Sequence, residues 1–373
     1  METKDIKLSK ASQILILDQA LAQIINLFLD IFLTAYFYKI SEQNIYYLSL
    51  YNIVAWIVAT IGAFSVGDFI KRKNKVNLYQ FGTFVKCLFI FMIILLKEKI
   101  VDHVYLIGIM FGLSVATTGF PFNMIVSEQV SNKERSKYLG YKQMVSEVIS
   151  LMVPILLGVY ITIHSYEVTA ILILVVSFFK LMLSFLIENK NVQTTNMNLK
   201  EFWNIFKRDK KLKRLYFIEF LKGITRYGVM SLIVSLLIIY HTKDDFQLGS
   251  WTSFFALFTI IAMYLFGKYY HKNYQNRILF YTAIAVLVSF IAICFSVNMI
   301  TIVLYNLVYY VFMNILLNIT EVNLFDYSNQ EPFAEKLNTE YFIFRELFLN
   351  IGRILRIYDI ITYRWINEKS KFS

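Results

Sequence analysis

The stretch Gly67–Lys75 reads GDFIKRKNK and lies between two apolar runs, LYNIVAWIVATIGAFSV before it and VNLYQFGTFVKCLFIFMIILL after it. One acid and four bases fill this short gap. Each flank is about 20 residues long, enough to cross the ~30 Å hydrocarbon core of a bilayer as a helix. An open strand could not cross, because its edge amides would lie unpaired in lipid. The charged gap is therefore a loop at a membrane face.

The pattern repeats along the chain of 373 residues, of which 57% are hydrophobic and only 17% charged. Soluble domains carry about a quarter charged residues. Apolar blocks predict eleven spans, at 13–37, 46–67, 77–96, 103–126, 140–162, 167–187, 215–240, 248–267, 278–296, 299–320 and 338–360. The expected fold is an all-α polytopic membrane protein. The ~10-residue alternation of a membrane barrel is absent. The polar start METKDIKLSK runs into a long span, which reads as no cleaved leader. Cys87 and Cys294 sit in separate apolar runs and read as packing residues. His103, His164, His241 and His271 lie near span ends without clustering, so no metal, cofactor or catalytic group is expected.

Bases concentrate in cytoplasmic loops. With the N-terminus inside, the outer loops hold only Lys39, Lys97, Lys99 and Lys243, and the inner segments hold the long basic series from Lys71 to Lys75 and from Lys200 to Arg214. The net charge of +11 is mostly this orientation signal and does not indicate nucleic-acid binding. Residues 188–214 form a basic linker between 1–187, with six spans, and 215–373, with five. Within it, NLKEFWNIFKRDKKLKR can lie as a surface helix. A shift of about 200 residues pairs Gly67 with Gly267, Gln19 with Glu219, and Ser146-Glu147 with Arg345-Glu346. That suggests two halves on one plan, a known transporter architecture.

At this point the chain resembles the major facilitator superfamily. The family's loop between spans 2 and 3 reads Gly-x-x-x-Asp-Arg/Lys-x-Gly-Arg/Lys-Arg/Lys. Asp68, Arg72 and Lys73 match its acid and terminal basic pair. Phe69 replaces the first base, Lys71 the second glycine and Phe64 the first. Glu128, Arg135 and Gly140 give the loop after span 4 the family's look. The resemblance implies two bundles that rock about a central site. It also implies a cytoplasmic latch of Asp68, Arg72, Lys73, Glu128 and Arg135, in which Asp68 pairs with Arg135 or a nearby base. It further implies a monomer in the plasma membrane, expected to be bacterial. The family has twelve spans; RIYDIITYRWINEKSKFS does not read as one, so the chain is expected to be truncated or altered near Gly352–Arg356, with impaired transport. The alternative is a short span 11 whose tail folds back to the inner face.

Ionisable groups inside spans face a cavity or a partner. At 100° per residue, Gln19, Gln23, Asn26 and Asp30 share a face of span 1, and Asp18 lies off it. Gln143, Glu147, Ser150 and Pro154 share a face of span 5. Glu219, Lys222 and Arg226 align in span 7, Asn306, Tyr310, Asn314, Asn318 and Glu321 in span 10, and Glu346, Asn350 and Arg353 in span 11. The resemblance implies that spans 1, 4, 7 and 10 line the cavity, with 5 and 11 contributing. These residues are the expected substrate and proton pathway, with Glu147 and Glu346 as candidate proton carriers. Polar stripes also bond helices to one another, and that structural role competes for each residue. Lys180 is expected to snorkel to the inner face, whereas Lys86 is deeper.

The leading functional expectation is a secondary active transporter for a small solute, coupled to protons, with efflux favoured over uptake. Uptake or facilitated diffusion without protons is the alternative. A non-transporting receptor or immunity-type protein on the same scaffold is the reading from another class.

Overall fold

The computed structural model describes residues 8–42, 44–72, 74–131, 134–188, 196–225, 238–240, 242–269, 274–296, 298–328, 330–333 and 336–369. Among them there are helices and no strand. The helices are α1 (Lys10–Ile40), α2 (Ile45–Arg72), α3 (Lys75–Leu96), α4 (Val104–Gln129), α5 (Arg135–His164) and α6 (Tyr166–Ser184). A short surface helix α7 (Leu199–Arg208) leads to α8 (Lys210–Thr225), α9 (Asp245–Tyr269), α10 (Gln275–Phe295), α11 (Met299–Ser328) and α12 (Asn338–Lys369). Among the described residues, eight helices are long and apolar enough to cross a membrane. The 22-residue α3 reaches about 33 Å at 1.5 Å per residue. The middle of expected span 7 lies outside the described residues. Far from folding back, α12 continues as one helix to Lys369, so a short span 11 with a returning tail does not hold.

The loops turn because their polar residues cap helix ends. In the opening stretch, the Asn74 side chain accepts from the Val76 amide at 2.9 Å and starts α3. Asp209 accepts from the amides of Lys211 (2.8 Å) and Leu212 (3.0 Å) and starts α8. Burial opposes its ionisation, but the Tyr327 hydroxyl and those amides outweigh it and hold the carboxyl below its ordinary range.

Ser9 caps α1 and is itself held from the α4–α5 connection. Its amide donates to Glu134 at 2.8 Å and its hydroxyl at 3.1 Å. The Ser9 amide, helped by Ser131, keeps the Glu134 carboxyl below its usual range against the cost of burial. A lowered carboxyl pKa means the unfolded chain binds the proton more readily. This contact is therefore complete above the ordinary carboxylate range and is lost as pH falls through the depressed value. Protection of the Ser9 and Ser12 amides from exchange, relative to free amides at the same pH, is expected to be high at neutral pH and to fall only in acid, and Glu134→Gln should lower it at both.

The packing repeats between halves. Number the spans 1–6 for α1–α6 and 7–11 for α8–α12. The strong pairs α1·α5, α2·α4 and α3·α4 recur as α8·α12, α9·α11 and α10·α11, each shifted by six. The two strong contacts across the halves, α2·α12 and α5·α9, exchange under the same shift. The N-terminal pairs α1·α6 and α3·α6 would map onto a span beyond α12.

Two apolar clusters close the bundle at its ends. On the face with the basic loops, Val66 and Ile70 of α2 and Phe120 of α4 meet Phe202 of α7, Tyr216 of α8 and Ile343 of α12. Near the opposite face, Phe28 and Phe37 of α1 and Ile161 of α5 meet Leu248 and Phe255 of α9 and Tyr305 of α11. Gly67, on the basic face, packs directly under α12: a Cβ on it would lie 2.1 Å from Ile343 Cδ1, so any larger residue would require the end of that side chain to turn away.

Candidate functional site

The halves are tied by ion pairs at both faces. On the basic face, Lys71 Nζ donates to Glu340 Oε1 at 2.6 Å, joining the end of α2 to the start of α12. Both side chains are buried, Glu340 completely. The same oxygen accepts the Asn198 amide at 2.7 Å, which draws the linker into the contact. At the opposite face Lys39 of α1 meets Asp245 of α9 at 2.7 Å, but Lys39 is 40% exposed. A pocket of about 410 Å³ beside it is lined by Tyr38, Lys39, Glu42, Ile239, Tyr240 and Lys243, from both halves. Exposed pairs contribute roughly 0–1 kcal/mol. Lys39→Ala is expected to lower stability by no more than about 1 kcal/mol, and the difference should vanish at high salt. Thermal unfolding at two ionic strengths reads this directly.

Between the faces lie the residues singled out in the sequence. In α8 and α12, Glu219 accepts from Lys222 at 2.5 Å and from Arg345 Nε at 3.2 Å. Glu219 and Lys222 are fully packed, so this is an internal network of the C-terminal half, turned away from lipid. Arg345 also reaches Glu346 at 3.4 Å. Further along α12, Arg353 donates to Asn350 at 2.5 Å, and its guanidinium stacks 4.0 Å over the ring of Trp56 in α2. That contact crosses between the halves. Arg226 lies outside the described residues.

The N-terminal stripe is also found inside. Gln19, Gln23 and Asn26 are half-buried. Gln23 donates to Ser150 of α5 at 3.1 Å, and Asn26 accepts from Lys86 of α3 at 3.2 Å. Asp30 falls in a π-helical stretch, Phe28–Leu33, a wide turn common near functional sites. Glu147 is half-buried, and its partner is Gln143 on its own helix. In α11 the Asn314 and Asn318 amides bond back to the carbonyls of Tyr310 and Asn314. Asn306 differs: it is fully buried, and neither amide atom has a partner among the described residues. A buried amide of this kind calls for a ligand or a water.

One expectation needs correction. Lys180 does not snorkel; it is buried and pairs with Asp18 at 3.1 Å, and the Tyr79 hydroxyl bonds to both. A carboxylate within reach inside the bundle outcompetes the membrane surface. Glu128 is held by Lys75, at the start of α3. Asp68 is half-buried in the last turn of α2. The side chains of Arg72 and Arg135 and all of Lys73 lie outside the described residues, and with them the expected Asp68–Arg135 pair. The inter-half pairs Lys71–Glu340 and Lys39–Asp245 carried no sequence signal, since each joins residues more than 200 apart.

The family model of the Major Facilitator Superfamily matches residues 104–355, about two thirds of the chain. The chain belongs to the major facilitator superfamily. It is thus a multi-pass membrane protein of a transporter family. One relative is the uncharacterized protein YqgE of Bacillus subtilis (strain 168), 24% identical over 334 residues, spanning 87% of this chain and 76% of that one. A point mutant of the nucleoside transporter NupG superposes with a TM-score of 0.70 at 12% identity, covering 92% of this chain and 90% of its own. A bacterial homologue of the iron transporter ferroportin, in an inward-facing state, gives a TM-score of 0.60 at 14% identity, with 95% and 92% covered. Those likenesses carry the fold.

Proposed function

We propose that this superfamily member is a secondary active transporter that moves a small polar solute across the plasma membrane by alternating access, with protons as the coupling ion. The observation that supports this reading is the pair of ionic closures, Lys71–Glu340 and Lys39–Asp245, with charged and amide groups of both halves between them. An alternating carrier must break one closure while keeping the other. Orientation by the basic loops puts Lys71–Glu340 on the cytoplasmic side.

The interior carries both signs. Arg353, Asn350, Asp30 and the unpartnered Asn306 suit a solute with hydrogen-bonding groups and a charge of either sign. Only Pro154 and Gly158 remain of the Gly-Pro-x-x-Gly-Gly pattern found in span 5 of exporters in the resembled family, which weakens the case for export without removing it; export is the direction proposed and the flux assay decides it. The test is a thermal-shift screen of nucleosides, amino acids and organic anions, followed by counterflow in proteoliposomes. Saturable counterflow of a stabilising solute, weakened tenfold or more by Asn306→Leu, is the expected result. Stabilisation without counterflow for every hit would defeat the reading and favour a receptor on the same scaffold.

A further inference from the structure

The two halves repeat one plan, and among the described residues one position in that plan is filled only once. In the N-terminal half α6 packs along both α1 and α3. Lys180 of α6 pairs with Asp18 of α1 at 3.1 Å, and Gln80 of α3 donates to the Ser184 carbonyl of α6 at 3.2 Å. At 100° per residue, Gln80, Thr83, Cys87, Ile90 and Ile94 share one face of α3, within an arc of about 80°. Ile90 of that face joins the same apolar cluster as Ala170 and Ile173 of α6. This is the face that α6 covers. In the C-terminal half α10 repeats α3, yet among the described residues its strong packing is against α11 alone.

A shift of 200 residues carries that face onto Phe280, Ala283, Leu287, Phe290 and Cys294, and all five are exposed. Leu287 is 57% exposed where Cys87 is 8%, and Phe290 is 40% exposed where Ile90 is 0%. The whole of α10 buries only Thr282 and Ile293, against eleven residues of α3. Lipid accounts for one exposed face of a span, as at Phe81, Phe84, Leu88, Phe91 and Leu95 of α3. The equivalents of that lipid face, Tyr281, Ile284, Val288, Ile291 and Phe295, are exposed on α10 too. The Phe280–Cys294 face is a second exposed face beside it.

We propose that two copies of the chain meet in the membrane on this second face, α10 against α10, about a twofold axis along the bilayer normal. The chemistry of the slot selects a second copy. Its α10 wall is apolar, and Ile218 stands where Asp18 stands in the N-terminal half, so a helix with a charge like that of Lys180 finds no carboxylate here. The filler must be uncharged, and α10 itself carries no charge from Ile278 to Phe295. It is also the least buried of the eight apolar spans. In a twofold contact one surface is both slot and filler, so a single meeting covers the face on both copies. Lipid tails are as apolar as Phe or Leu, so the gain comes from close packing, which the small Ala283 between Phe280 and Leu287 permits. The contact uses none of the helices that carry Lys71–Glu340 or Lys39–Asp245, and it holds whether or not the chain carries a solute. A dimer replaces the monomer that the family resemblance implies.

The experiment is oxidative cross-linking of the full chain in liposomes at low protein density, with copper phenanthroline as the oxidant. Cys294 lies in the proposed seam, and Cys87 is buried. A disulfide needs Cα atoms within about 7 Å, so it reads a fixed contact. The unaltered chain is expected to form a dimer through Cys294, which Cys87→Ser leaves unchanged and Cys294→Ser abolishes. In the Cys294→Ser background, Leu287→Cys should restore cross-linking, at least about tenfold above Val288→Cys on the lipid face. Absence of dimer from both Cys294 and Leu287→Cys overturns the proposal. So does equal yield from Leu287→Cys and Val288→Cys, which marks random collision. Stepwise photobleaching of the chain carrying one fluorophore needs no substitution in α10. Two steps per particle are expected; single steps, with lipid or another protein's helix in the slot, overturn the contact.

Discussion

Glu340→Ala is expected to open the basic face. The substitution leaves the buried Lys71 ammonium with no carboxylate and, among the described residues, only the Lys336 carbonyl, at 3.4 Å, to accept from it. It also releases the Asn198 amide, and with it the linker that seats Phe202 in the cluster. Removing one partner of a buried pair costs about 3–5 kcal/mol. The closed arrangement bears that cost; once the face opens, water solvates Lys71 and the penalty disappears. The open population should rise on the order of a hundred- to a thousandfold. A cysteine placed at Val66 reads it through labelling by an impermeant maleimide applied from the basic side. The double substitution Lys71→Met with Glu340→Met removes both charges and should close the face again, since apolar replacement of a buried pair is often neutral or stabilising. Unchanged labelling in Glu340→Ala would mean that the pair does not hold the halves together.

Gly249→Ala is expected to act on the opposite face. A Cβ at Gly249 would lie 2.2 Å from the carbonyl oxygen of Pro154, and one at Gly158 would lie 2.7 Å from that of Asp245. Here α9 and α5 touch backbone to backbone, so no side-chain rotation can make room. The methyl must push the helices apart at the end where Lys39 and Asp245 meet. Overpacking costs about 1–3 kcal/mol, occasionally more, and the weak exposed pair cannot offset it. A cysteine at Leu157, buried in the cluster near that face, should then label from the opposite side, while Val66 stays protected. Gly119→Ala is the matched control: nothing lies within 4 Å of its added Cβ. Alanine suits a helix interior better than glycine by about 1 kcal/mol, so Gly119→Ala should leave both faces unchanged. If Gly249→Ala behaved like Gly119→Ala, the close approach of α5 and α9 would be irrelevant to closure.

The membrane fold was legible because the bilayer imposes it locally: a block of about 20 apolar residues needs no distant partner to be read. Stripes such as Gln23–Asn26–Asp30 were legible too, since helical periodicity is local. Three things were not. Glu340 closes on Lys71 across most of the chain, and no spacing rule connects them. Lys180 was misread because the snorkelling argument considers one helix and the lipid, whereas Asp18 reaches it from another helix. The π stretch around Asp30 has no sequence mark, as i→i+5 bonding follows from packing. The basic loop was half legible: its charge gave the orientation, but Lys71, read as a departure from the family's pattern, is the residue that reaches the other half.

The unequal dryness of the two closures has a kinetic consequence. Thermal agitation alone can part the wetted Lys39–Asp245 contact, while the sealed Lys71–Glu340 contact yields slowly without help. Such asymmetry cannot accumulate anything by itself, because forward and reverse cycles cross the same barriers. On the carrier reading proposed above, what it sets is where the idle protein waits: with its vestibule on the Lys39 side flickering ajar, and the other doorway shut until a bound solute supplies the missing work.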